Sequence, residues 1–188
     1  MSSDKWQEPE TTEEPLPNRY LRLSLIFVSV VAVGLLAAWV FGDDSAPSVA
    51  TIGDPAPAFE VRNVEGDEPL ALADLINDDG QPIVINLMAS WCGPCRAEIP
   101  EISTFADANP EVVVIGVAVE DNYDDFMEFV TEVGPTYTVG FDDGEMRAAY
   151  QTLGLPATFF LDSSGVVVSV YNGILDQNVL EQQVSGIN

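Results

Sequence analysis

Histidine is missing from this 188-residue chain. Its absence removes histidine general bases, Ser-His-Asp triads and every metal site that needs imidazole. Cysteine occurs twice, as Cys92 and Cys95. A multi-disulfide scaffold and a four-thiolate zinc site are therefore excluded. Positive charge is scarce too: six Lys and Arg face 31 Asp and Glu, for a net charge of −25. This speaks against nucleic acid as a partner, because phosphate binding needs clustered Lys and Arg. Residues 43–188 hold 26 acids against Arg62, Arg96 and Arg147 alone. The plain reading of that acidity is a surface tuned to salty surroundings, where screening blunts self-repulsion. The sharper reading is steering of a basic partner.

What the chain does have is apolar material for a core, 47% of its residues. Its length predicts one domain plus an appendage. Residues 1–22 begin with a polar stretch carrying Pro9, Pro15, Pro17 and several acids, and are expected to form a disordered tail. Leu23 to Phe41 is uncharged, diluted only by Ser24, Ser29 and Gly34. As a helix it reaches ~28 Å, close to the ~30 Å hydrocarbon core of a bilayer. Residues 23–42 are thus read as a transmembrane anchor, with Tyr20 and Trp39 at the two interfaces. A cleaved signal peptide and a soluble helix compete with it. The apolar run is long for a signal peptide, and the small residues Ser48-Val49-Ala50 lie well past it. Arg19 and Arg22 precede the span and Asp43 and Asp44 follow it. Positive charge inside then places the N-terminus in the cytoplasm and the rest of the chain outside, at the cell membrane. Residues 43–57, rich in Asp, Ser, Ala and Pro, read as a tether.

Beyond the tether, strands and helices alternate. Short strands are expected at 59–61, 82–89, 112–119 and 139–141, a helical turn at 70–76, and helices at 94–108, 124–133 and 145–153. Residues 77–80, Asn-Asp-Asp-Gly, signal a turn. Strands at 157–161 and 166–171 flank Asp162-Ser163-Ser164-Gly165 as a hairpin, and 176–184 closes the chain as a helix. The continuous apolar runs 83–88 and 112–119 suit strands buried on both faces. The pattern predicts an α/β fold with a mixed sheet.

Trp91-Cys92-Gly93-Pro94-Cys95 follows a buried strand and opens a helix. Two cysteines at i and i+3 in a first helical turn can close a small disulfide. The unpaired N–H groups and partial positive charge of the helix N-terminus stabilise a thiolate on Cys92. Pro94 fits the first turn, where its missing N–H costs nothing. An exposed Cys92 is expected to attack and Cys95, one turn deeper, to resolve the mixed disulfide. Half a zinc site lacks two further ligands, and a c-type haem site needs histidine where Arg96 stands. No cofactor beyond the sulfur pair is implied.

On these residues the chain resembles thioredoxin-fold proteins, and more closely the membrane-anchored thiol–disulfide oxidoreductases of the TlpA/ResA/CcmG type. The resemblance covers about residues 51–188. It rests on residues 91–100, WCGPCRAEIP, on 154–162, GLPATFFLD, and on the opening 53–59, GDPAPAF. It implies a thioredoxin-like domain over 51–188 with a central insertion near 111–145. Pro156 matches a cis-proline facing the disulfide, which would leave the Leu155 backbone free for a bound substrate strand. Pro100 matches a helix-kinking proline, and Trp91 an aromatic that shields the sulfurs. Glu98, one helical turn beyond Cys95, matches the active-site glutamate of this branch. A carboxylate there raises thiol pKa values and can pass protons. Its bland alternative is a solvated helix residue. Thioredoxin carries an ionisable Asp where Asn86 stands, so its buried-carboxylate relay is lacking and Glu98 is the remaining candidate. Arg96 either assists the Cys92 thiolate or is a surface cation.

The resemblance implies a reductase of protein disulfides, with protein thiol and disulfide clients. It further implies an integral-membrane electron donor of the CcdA/DsbD type, and apocytochrome c as one client class. The alternatives are a disulfide-forming oxidase or isomerase, a peroxiredoxin-like peroxidase, and a non-catalytic binding module. The peroxidase needs Pro and Thr or Ser where Ile85 and Ala89 stand.

Overall fold

The structure, a computed structural model, describes Leu23 and residues 26–32, 49–76, 80–144 and 146–187. Its elements run β1 (Glu60–Asn63), β2 (Leu70–Ala71), α1 (Leu72–Leu75), β3 (Ile83–Met88), α2 (Gly93–Ala108), β4 (Val113–Ala118), α3 (Tyr123–Val133), β5 (Thr138–Phe141), α4 (Met146–Ala149), β6 (Ala157–Leu161), β7 (Val167–Asn172) and α5 (Gln177–Ser185). The strands form one sheet in the order β2-β1-β5-β4-β3-β6-β7. Strands β3, β4 and β5 are parallel, whereas β6 runs antiparallel to β3 and β7 antiparallel to β6. The fold is therefore α/β with a mixed sheet.

Strand β3 shows why the sheet forms. All six of its residues are buried, and their side chains alternate between faces. Val84 and Met88 join a cluster containing Ile99, Ile102 and Phe105 of α2, Phe126 and Phe129 of α3, and Leu180 of α5. Ile83, Ile85 and Leu87 join the opposite cluster, with Phe59, Leu72, Met146 and Tyr150. Each such apolar side chain contributes roughly 1.5–3 kcal/mol on burial, so both faces fix the register. Asn86 is the polar interruption on the α2 side.

Helix α3 carries its own start and stop signals. The Asn122 side chain accepts hydrogen bonds from the N–H groups of Asp124 and Asp125, and Gly134 ends the helix at φ +64°. Helix α2 is capped by Cys92, which precedes it in extended conformation, and continues through Pro100 without ending there.

Three expectations need correction. Of the helix expected over 145–153, only Met146–Ala149 is helical among the described residues. Asp142 caps it by accepting from the N–H groups of Met146 and Arg147. Tyr150 then turns fully into the core, its hydroxyl bonded to the Pro57 carbonyl at 2.7 Å, and Leu153 is left 97% exposed. The turn expected at 70–76 divides into β2 and α1, because Leu70 and Ala71 pair with β1. Residues 113–141, within the expected insertion, supply β4, α3 and β5, so two central strands of the sheet come from it.

Of the segment read as a tether, residues 49–57 lie along the folded unit. Ala50 N–H bonds to Ala149, Gly53 N–H to Val167 and Ala56 N–H to Gly165. Residues 26–32 are helical and exposed. Among the described residues no helix is long and apolar enough to cross a membrane. The remainder of the expected anchor, the whole of the expected tail, and residues 43–48 and 77–79 lie outside the described residues.

Candidate active site

Strand β3 delivers the chain to the end of the sheet, and a tight turn delivers it to α2. The turn closes with Cys92 N–H on the Ala89 carbonyl at 3.1 Å. Cys92 caps α2, its Sγ accepting from the Cys95 N–H at 3.2 Å. Cys92 and Cys95 form a disulfide with S–S 2.00 Å and Cα–Cα 5.3 Å. Gly93 and Pro94 are exposed in the first helical turn. The Cys95 N–H aimed at Cys92 Sγ and the partial positive charge of the helix end favour a thiolate once the bond opens.

The expectation of an exposed Cys92 is corrected. Cys92 is only 3% exposed and Cys95 is fully buried. The order of access is as expected, but the first sulfur is nearly flush with its surroundings. Trp91 is 61% exposed, which rules out ordinary core packing for it. Its indole N–H donates to the Glu120 carbonyl at 3.0 Å. Arg96 pairs with Glu132 of α3 at 2.6 Å and lies over the Phe129 ring. Its charge is therefore matched by a surface partner.

Glu98 is not a solvated helix residue; it is fully buried. Its Oε1 accepts from Asn86 Nδ2 at 2.8 Å and its Oε2 from the Leu175 N–H at 3.1 Å. Asn86 Nδ2 also donates to Thr158 Oγ1 at 3.0 Å. Burial raises the Glu98 pKa to about 7, against the opposing pull of the hydrogen bonds from Asn86 and Leu175. A buried carboxyl thus titrates near neutrality one helical turn from Cys95.

Pro156 is buried and follows a cis Leu155–Pro156 bond. Its carbonyl accepts from the Gly173 N–H at 3.0 Å. Leu155 is half-buried against the cluster that contains both cysteines. Since Ala157 pairs with Leu87, the Leu155–Pro156 step lies at the same sheet end as the Cys92 turn. The structure thus gathers Trp91, Cys92, Cys95 and the Leu155–Pro156 step at this end of the sheet. Asn86 and Glu98 lie bonded together beneath it.

Other neighbours of the site carried no sequence signal of a role there. Tyr137 sits on the Asn86 face of the sheet, beside Gly116, the register partner of Asn86. Its hydroxyl is buried without a hydrogen-bond partner, as is Asn86 Oδ1. Burial, and secondly the charge of Glu98, push the Tyr137 phenol well above its usual range. Thr158, Leu175, Glu120 and Asp121 reach the site from positions far along the chain. Of these, only Asp121 has a local cue, its place just before the Asn122 cap, and that cue speaks of a helix start.

Fold and sulfur chemistry together define the class: a thioredoxin-like thiol–disulfide oxidoreductase. The Thiol:disulfide interchange protein DsbE of Pseudomonas fluorescens biotype C is 32% identical over 136 residues, covering 71% of this chain and 74% of its own. The Thiol-disulfide oxidoreductase ResA of Oceanobacillus iheyensis is 25% identical over 188 residues, covering 98% and 97%. Among solved structures, a putative Thiol:disulfide interchange protein DsbE from Chlorobium tepidum superposes with a TM-score of 0.65. It is 29% identical and covers 73% of this chain and 97% of that one. The chain belongs to the AhpC/TSA family, whose model matches residues 52–170.

Proposed function

We propose that this oxidoreductase works outside the cytoplasmic membrane as a reductase of protein disulfides. It would be anchored through residues 23–41, with its N-terminus in the cytoplasm. The observation that carries the reading is the Cys92–Cys95 disulfide at the N-terminus of α2, with Cys95 fully buried. In the reduced protein, the Cys92 thiolate attacks a client disulfide. One S–S bond breaks, a mixed disulfide forms and a client thiolate leaves. Cys95 then loses its proton, with Glu98 as the acceptor, and attacks Cys92 Sγ. The second client sulfur departs, two electrons have passed to the client, and the Cys92–Cys95 disulfide is restored.

Leu155 and Pro156 form the edge on which an extended client segment lies. In support, Leu155 N–H and C=O have no hydrogen-bond partner among the described residues. Trp91 covers the approach to the sulfurs, and Gly93, Pro94 and Asn86 hold the geometry of the turn and of Glu98. No cofactor other than the sulfur pair is needed. Recharging outside the cytosol needs a membrane dithiol donor of the CcdA/DsbD type, and apocytochrome c is a client class in keeping with the resemblance. Buried Ile85 and Ala89 stand where a peroxidase needs Pro and Thr or Ser, which favours dithiol exchange.

The test is trapping. A Cys95→Ala full chain, expressed in its membrane, is expected to accumulate mixed disulfides through Cys92 with exported clients and with a membrane dithiol protein. Absence of any Cys92 adduct overturns the dithiol mechanism. Clients that lack disulfides in the absence of the protein would make it an oxidase instead.

A further inference from the structure

The turn after β4 is fastened to the active-site turn at two successive residues. Ser90 donates to the Asp121 carboxylate twice, from its N–H to Oδ2 and from its hydroxyl to Oδ1 at 2.7 Å. Trp91 donates its indole N–H to the carbonyl of Glu120. Glu120 has φ +53° and is the only non-glycine residue at positive φ among those described. A residue held in that region by its neighbours is a mark of a functional constraint. Val119 N–H extends the pairing to the Met88 carbonyl at 3.0 Å, and Arg147 lies 3.1 Å from the Glu120 carboxylate. The Glu120–Asp121 turn is thereby set against residues 88–91, immediately before Cys92.

The charges around Cys92 do not cancel evenly. On its own helix, Arg96 is paired with Glu132 of α3, and Glu98 is buried with Asn86 and Leu175. From the loop after β4, Glu120 is matched by Arg147 of α4. Asp121 has no cation within ion-pairing distance among the described residues, and its partners are the neutral donors of Ser90 and Asn122. It is thus a fixed negative charge bonded to the turn that presents Cys92.

Resting on the reductase reading, we propose that Asp121 is a positioning residue that sets the reactivity of Cys92. It locks the Ser90–Trp91 turn and opposes the thiolate that the α2 N-terminus favours. A thiolate disfavoured in the reduced protein means a reduced form that gives up its electrons more readily. The helix end and Asp121 therefore act in opposite directions on one sulfur, and Asp121 tilts the pair toward donating.

The test is the pH profile of Cys92 alkylation by iodoacetamide in the reduced full chain. Asp121→Asn keeps a side-chain oxygen for Ser90 and removes the charge. Its midpoint is expected to fall by about half a unit to one unit, the size of a full charge several ångströms away in a wet environment. Asp121→Glu, which retains the charge, is expected to keep the midpoint near that of the unmodified chain. Ser90→Ala, which removes one hydrogen bond and no charge, is expected to leave it in place. Repeating the comparison in a Glu98→Gln background keeps the Glu98 titration out of the profile. An Asp121→Asn midpoint that stays put or rises overturns the proposal, and so does a Ser90→Ala midpoint that falls equally. Failure of the unmodified chain to reduce insulin disulfides overturns the reductase reading instead, whatever the midpoints show.

Discussion

Replacing Glu98 by glutamine offers a direct measure of the buried carboxyl. The Glu98 pKa stands at about 7 instead of the ordinary 4.5, with burial as the leading cause. The folded state therefore holds this proton more tightly than the unfolded chain does. The sign follows from linkage: the stabilisation is fully present below pH 4.5 and is lost as pH rises through 7. One pKa unit corresponds to about 1.4 kcal/mol, so the complete loss is about 3 kcal/mol, of which about 2–3 kcal/mol falls between pH 5 and pH 8. No histidine is present and both cysteines are held in the disulfide, so neither residue type titrates in this window. A glutamine at position 98 can still be satisfied. Its oxygen can accept from the Leu175 N–H, and its amide can donate to Asn86 Oδ1 once the Asn86 amide turns over to exchange Oδ1 for the Nδ2 that now faces position 98. Urea unfolding of the oxidised full chain at pH 5, 6, 7 and 8 is the assay. The unmodified protein is expected to lose about 2–3 kcal/mol across the series, whereas Glu98→Gln stays nearly flat and becomes the more stable of the two at pH 8. A flat profile in the unmodified protein, or the same slope in the variant, refutes the reasoning.

Two further substitutions probe the packing behind the site. A Cβ at Gly116 would lie 2.9 Å from Tyr137 Cε2 and collide with Met88 Cε; Gly116→Ala is expected to cost about 1–3 kcal/mol in the oxidised protein, and an unchanged unfolding midpoint would refute that crowding. Tyr137→Phe removes a buried hydroxyl with no partner, so stability is expected to hold or rise by up to about 1 kcal/mol. A loss of comparable size would mean that the hydroxyl is satisfied after all.

The redox centre was readable because its signals are local. A buried apolar run, a turn and two cysteines at i and i+3 fall within thirteen consecutive residues, 83–95. Glu98 was also reachable, since helical spacing carries it one turn past Cys95. Its environment was not, because its partners Asn86 and Leu175 lie 12 and 77 residues away. The same limit explains the failed helix over 145–153. Its composition suits a helix, but burial of Tyr150 against Pro57, 93 residues away, ends it early. Arg96 could not be assigned from its own neighbourhood, because the carboxylate that matches it sits on α3.

By itself, the amino-acid order determined the alternation of strands and helices, the sulfur pair at a helix entrance and the class of chemistry, because periodicity and short spacing act within one element. Only the tertiary structure decided that Cys92 is almost covered, that Glu98 is buried and titrates near neutrality, and that Asp121 grips the active-site turn. Those properties depend on which strands lie side by side and in what register. That arrangement brings distant polar groups together and strips the water from them, and no local stretch of sequence contains it.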